Sequence, residues 1–163
     1  MSWMIALNVE ALTRLTYAVV PAFVKRGSGT IINISSIVAI GPEALNGVYG
    51  GTKAFVLAFS RSLRHELATT GVKVQVVLPG ATATDFWRIA GRPVENLPQD
   101  IVMTAEDMVD AALAGFDQGE FVTIPALADA GQWQSYEAAR QAMLPNLSRA
   151  EPAARYGVVH AAG

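Results

Sequence analysis

Two short β-branched runs limit what this chain can become: residues 30–35, Thr-Ile-Ile-Asn-Ile-Ser, and residues 72–78, Val-Lys-Val-Gln-Val-Val-Leu. β-Branched side chains lose rotamer freedom against a helical turn, and near-continuous apolarity marks strands covered on both faces, as in a parallel sheet. Between them, residues 49–69 carry Phe55, Leu57, Ala58, Phe59, Leu63 and Leu67, a stripe that suits an amphipathic helix. Residues 5–25 show the same period through Leu7, Ala11, Leu15, Ala18, Val19 and Ala22, predicting one long helix bent at Pro21. Lys25, Arg26, Gly27 and Gly29 close it. The expectation is an α/β fold in which helices sandwich parallel strands.

Later segments fit that frame. Thr104 with Asp107 three residues on forms a helix N-terminal box, and the helix should stop at Gly119. Residues 121–125 read as a last strand on an edge that tolerates Pro125, and residues 132–143 as a helix carrying Trp133 and Tyr136. One domain is expected over residues 1–149. From residue 150 the alanine, glycine and proline content predicts a disordered tail, in which His160 is untethered.

Composition excludes several classes of partner. A formal charge of −2 gives no basic field for nucleic acid or anionic lipid. Cysteine is absent, so neither disulfides nor thiolate metal sites are available. The apolar fraction is 52%, yet no uninterrupted run reaches the ~20 residues of a membrane span, and the N-terminus lacks a secretory leader's pattern. A cytoplasmic protein binding neither membrane nor metal is expected.

The chemistry concentrates at Tyr49-Gly-Gly-Thr-Lys53, where spacing of four puts a phenol and an ammonium on one helical face. A neighbouring cation favours phenolate, so the pair suits acid/base work; taken alone, a tyrosine one turn before a lysine serves as well as a surface or core residue. Ser35 and Ser36 follow the first strand, where the ligand crevice of an open parallel sheet lies. Gly50 and Gly51 weaken the helix by about 1 kcal/mol each against alanine, which suggests close backbone approach beside Tyr49.

In order and spacing, Asn8, Ser36, Tyr49-x-x-x-Lys53 and Pro79-Gly80 resemble the short-chain dehydrogenase/reductase family over about residues 5–125. The resemblance implies the C-terminal part of a Rossmann-like, doubly wound parallel sheet. It assigns Tyr49 as general acid/base, and Lys53 to shifting its pKa and holding the nicotinamide ribose. Ser36 meets the substrate oxygen, and Asn8, at a helix kink, holds a water in a proton relay. Pro79, Gly80, Thr82 and Thr84 fall against the nicotinamide of NAD or NADP, residues 84–103 form the variable substrate lid, and the substrate is a small alcohol or carbonyl compound. The Asn8 and Tyr49 helices imply a homo-oligomer.

The same resemblance calls for a preceding strand and a Thr-Gly-x-x-x-Gly-x-Gly turn that binds pyrophosphate at a helix N-terminus. This sequence contains no such turn, nor the residue that selects NAD or NADP. An N-terminally truncated member lacking roughly the first third to two-fifths of the fold is expected. Two other classes therefore stand beside the dehydrogenase: a catalytically inactive fragment that associates through its helices, and an epimerase or dehydratase using the same Tyr49 and Lys53.

Overall fold

The computed structural model describes residues 2–44 and 47–158; Leu45, Asn46, His160 and the end of the tail lie outside them. Its chain divides into two units, Met1–Ala126 and Leu127–Gly163.

In the first unit, β1 (Gly29–Ile34), β2 (Val72–Val77) and β5 (Val122–Thr123) form a parallel sheet in the order β1-β2-β5. Gly29 pairs with Val72 and Ile34 with Val77, so the ends of β1 and β2 are level. β2 lies in the middle, with Val76, Val77 and Leu78 fully buried, which is why its sequence is apolar almost throughout.

The N-terminal helical stretch starts as α1 (Ser2–Ile5), passes through a π-helical segment at Ala6–Ala11 and continues as α2 (Leu12–Arg26). α2 runs on through Pro21, and the departure from α geometry comes earlier, around Asn8. The helix α3 (Gly47–Glu66), which carries Tyr49 and Lys53, links β1 to β2. Its Leu63, with Leu67 just beyond it, packs on Ile31, Val72 and Val74, and Val20, Phe23, Phe59 and Phe121 close around that cluster. Burial of such side chains is worth about 1.5–3 kcal/mol each. Arg64 lies over the Phe121 ring at 4.7 Å.

Beyond β2 the chain makes β3 (Ala81–Thr82), the short helix α4 (Asp85–Ile89) and β4 (Val102–Met103), with β3 and β4 paired in parallel as a separate two-stranded sheet. α5 (Ala105–Asp117) opens on Thr104, whose hydroxyl accepts from Asp107 N at 3.0 Å. Behind α5, Gln75 of β2 is fully buried; its Nε2 donates to Ala112 O at 2.8 Å and Thr123 Oγ1 at 2.9 Å, while its Oε1 has no partner.

The second unit centres on α6 (Ala130–Met143), capped by Asp129, whose Oδ1 accepts from Gly131 N at 2.8 Å. Trp133 and Tyr136 stack at 5.1 Å, and Arg140 grips Glu137 through both carboxylate oxygens.

Candidate active site

The ladder between β1 and β2 continues past the strands. Ser35 N donates to Val77 O at 2.8 Å and Ile37 N to Pro79 O at 3.0 Å, which holds Ser36 at the carboxyl end of the sheet. Ser36 Oγ donates to Pro79 O at 3.4 Å and accepts from Val38 N at 3.4 Å, capping a short turn over Ile37–Ala39. A side-chain hydrogen bond joins Ser36 to the Tyr49 hydroxyl. Ser35 turns the other way, its Oγ donating to Lys53 O at 2.7 Å, so it is Ser36 that meets the phenol.

Lys53 sits one turn beyond Tyr49, with its Nζ 5.7 Å from the Tyr49 ring centroid. The ammonium donates to Ile34 O at 3.0 Å, so the last carbonyl of β1 anchors it. Asn8 occupies the π segment, a feature that recurs at functional sites because it re-aims side chains. Its Nδ2 donates to Thr52 Oγ1 at 3.0 Å, and Thr52 Oγ1 donates to Tyr49 O at 2.9 Å. Asn8 therefore reaches the Tyr49 turn through Thr52, a residue the motif reading passed over. Its only sequence signal is a hydroxyl next to the lysine, on the face toward Asn8.

Electrostatics differ from the simple expectation. Burial pushes the Tyr49 phenol above its ordinary 10.0, and the hydrogen bond with Ser36 pulls it part of the way back. Burial pushes the Lys53 ammonium below its ordinary value. An ammonium-lowered phenol is thus corrected to a desolvated one: removal from water disfavours both charged forms.

These groups open on a pocket of about 420 Å³. Pro79, Gly80, Thr82 and Thr84 line it together with Ser36, Tyr49 and Lys53, whereas Asn8 is not in its wall. A Cβ on Gly80 would meet only Ile37 Cδ1 within 4 Å, at 3.9 Å, so the glycine leaves this wall open to a flat ring. Thr82 Oγ1 donates to Gly80 O at 3.3 Å, and the Trp87 indole N–H donates to Thr82 O at 2.9 Å. Tyr49, Phe86 and Trp87 follow one another at ring separations of 5.7 and 5.4 Å. Residues 84–103 supply this apolar side, with Leu97, Pro98 and Ile101.

Close backbone approach beside Tyr49 holds for one glycine of the pair. A Cβ on buried Gly50 would come within 3.2 Å of Pro42 Cβ, while one on exposed Gly51 would meet nothing. Among the described residues no cluster of His, Cys, Asp and Glu could hold a metal, and no helix is long and apolar enough to cross a membrane.

The family model for short chain dehydrogenase matches residues 1–93. A probable NADP-dependent dehydrogenase of Haemophilus influenzae is 38% identical over 130 residues, 74% of this chain and 50% of the relative. A short-chain dehydrogenase from Sphingobium yanoikuyae, solved with NADPH, superposes with TM-score 0.87 at 49% identity, covering 93% of this chain and 59% of that one. The bulky-bulky ketone specific alcohol dehydrogenase from Comamonas testosteroni superposes with TM-score 0.80 at 43% identity, covering 93% and 56%. The chain spans about half the length of the curated relatives it matches.

Proposed function

Since the chain belongs to the short-chain dehydrogenase family, we propose that it carries the catalytic residues of an NAD(P)-dependent oxidoreductase acting on an alcohol or carbonyl compound with an apolar body. One observation carries this: Ser36 and Tyr49 are hydrogen-bonded at the carboxyl ends of β1 and β2, in the wall of a pocket that also holds Lys53. The relatives' NADP dependence and bound NADPH favour the phosphorylated cofactor. The ketone specificity of the Comamonas enzyme and the Phe86 and Trp87 wall favour a bulky substrate.

A bound nicotinamide dinucleotide would supply the hydride in reduction and accept it in oxidation. Ser36 and Tyr49 hold the substrate oxygen between two hydroxyls, and Tyr49 gives that oxygen a proton in reduction or removes one in oxidation. The raised Tyr49 pKa keeps the phenol protonated at neutral pH, which suits the reducing direction. Lys53, steadied by the Ile34 carbonyl, would hold the nicotinamide ribose. Pro79, Gly80, Thr82 and Thr84 would face the carboxamide end, and the open face of Gly80 is compatible with that. Asn8, tied to the Tyr49 turn through Thr52, would support the proton relay. The apolar wall excludes water from the reacting atoms. Exposed Leu7, Leu15 and Tyr17 on the N-terminal helices support a homo-oligomer formed there with the Tyr49 helix.

The test is a fluorescence titration with NADPH followed by reduction of a bulky ketone. The 163-residue chain should bind and turn over, and Tyr49→Phe should lose about 100-fold or more in kcat while keeping NADPH affinity. Undiminished turnover in Tyr49→Phe would refute the assignment. No NADPH binding would instead support the second reading, an inactive module associating through its helices.

A further inference from the structure

Among the described residues, Arg92 is the arginine whose guanidinium has no partner. The others are engaged: Arg14 reaches Glu10, Arg88 reaches Asp85, and Arg64 covers Phe121. Arg92 instead lines the active-site pocket. Its place there is built by the backbone. After α4 the chain reverses through Gly91, at φ +75°, and Arg92 N donates to Trp87 O at 2.9 Å, the left-handed glycine turn that ends many helices. The reversal sets Arg92 directly beyond the Phe86 and Trp87 wall.

The surroundings give this cation no internal counter-charge. Among the described residues no Asp or Glu lines the pocket, and the other cation in its wall, Lys53, is engaged by the Ile34 carbonyl. The wall between Tyr49 and Arg92 is apolar, from Phe86 and Trp87 to Leu97, Pro98 and Ile101. A guanidinium at the rim of such a pocket suits a carboxylate in geometry, because its planar fork can donate two parallel hydrogen bonds.

We propose that Arg92 forms a carboxylate-recognising subsite, so that the substrate is a carbonyl or alcohol compound with an apolar body and a carboxylate at the end remote from the reacting oxygen. The subsite deepens the oxidoreductase reading and rests on it for the identity of the reacting end. Arg92 itself moves no proton; it selects and orients.

The test uses the whole chain and two probe pairs of equal shape: 4-acetylbenzoate against 4-acetylbenzamide, and 3-(4-acetylphenyl)propanoate against its amide. Binding is read by NMR from the Trp87 indole N–H, and reduction is followed separately with NADPH. Arg92 is solvent-exposed, so for at least one pair the acid should bind about five-fold more tightly than the amide, the upper range of an exposed ion pair. That preference should shrink in 1 M salt, persist in Arg92→Lys, and fall to about one in Arg92→Gln. Arg88→Gln, which breaks a pair outside the pocket, should leave it intact. Equal binding of acid and amide by the wild-type chain, an undiminished preference in Arg92→Gln, or no binding of any probe would overturn the subsite. Preferential binding without NADPH-dependent reduction would defeat the oxidoreductase reading and leave the subsite standing.

Discussion

Thr52→Val tests the connection between the π segment and the Tyr49 turn. Valine keeps the shape of Thr52 and removes the one oxygen that accepts from Asn8 and donates to Tyr49 O. Thr52 is 5% exposed, so water replaces that oxygen poorly, whereas Asn8 is half-buried and regains part of its hydration. A net hydrogen bond is worth about 1 kcal/mol and stranding a buried donor adds about 1–3 kcal/mol; with partial rehydration the loss should be about 1–2 kcal/mol. Asn8→Ala removes the same bond from the other side. The double variant should therefore fall short of the sum by about 1 kcal/mol, and Thr52→Ser should retain most of the wild-type stability. Urea denaturation of the four cycle proteins and Thr52→Ser, at matched m-values, gives these numbers. Losses that add to within about 0.3 kcal/mol would show that Asn8 and Thr52 do not act together, and Thr52 would lose its place in the site.

Three further outcomes follow from the same coordinates. Tyr49 has a folded pKa above its ordinary 10.0, so its contribution to stability is present below that value and is lost as pH rises through the folded pKa; Ser36→Ala removes the lowering hydrogen bond and should move the Tyr49 titration, followed by ring ¹³C NMR, to still higher pH. Gly51→Ala should stabilise the chain by about 1 kcal/mol through helix propensity, while Gly50→Ala should gain clearly less or destabilise, because its methyl meets Pro42; equal thermal shifts for the two would contradict the packing. Gln75→Met should cost less than about 1.5 kcal/mol because it fills the same space and removes an unpartnered oxygen, whereas Gln75→Ala should cost about 2–4 kcal/mol in chemical denaturation.

Much of the site could be read from residue spacing. Four residues make one helical turn, which alone places Lys53 beside Tyr49. Alternation along an extended segment sends Ser35 and Ser36 to opposite sides, and the structure gives Ser35 to the helix backbone and Ser36 to the phenol. Other features have no local signature. A π segment keeps the same apolar residues as an α-helix, so Ala6–Ala11 was invisible in the pattern, and with it the aim of Asn8 at Thr52. β3 and β4 are two residues each, below the length at which alternation can be recognised. The direction of the Tyr49 shift depends on how much water is excluded, a property of the assembled pocket. The two adjacent glycines look identical in sequence and differ only because Pro42 packs over one of them.

Among the described residues β1 is the outermost strand of its sheet, and its last carbonyl and the serines just after it meet Lys53 and Tyr49. Register along this ribbon is therefore also the alignment of the reacting groups. A slip of one position against β2 would swap the faces of Ser35 and Ser36 and withdraw the Ile34 oxygen from the ammonium. On the proposed oxidoreductase reading, loss of turnover on gentle warming would then report a misaligned border strand before any collapse of the interior.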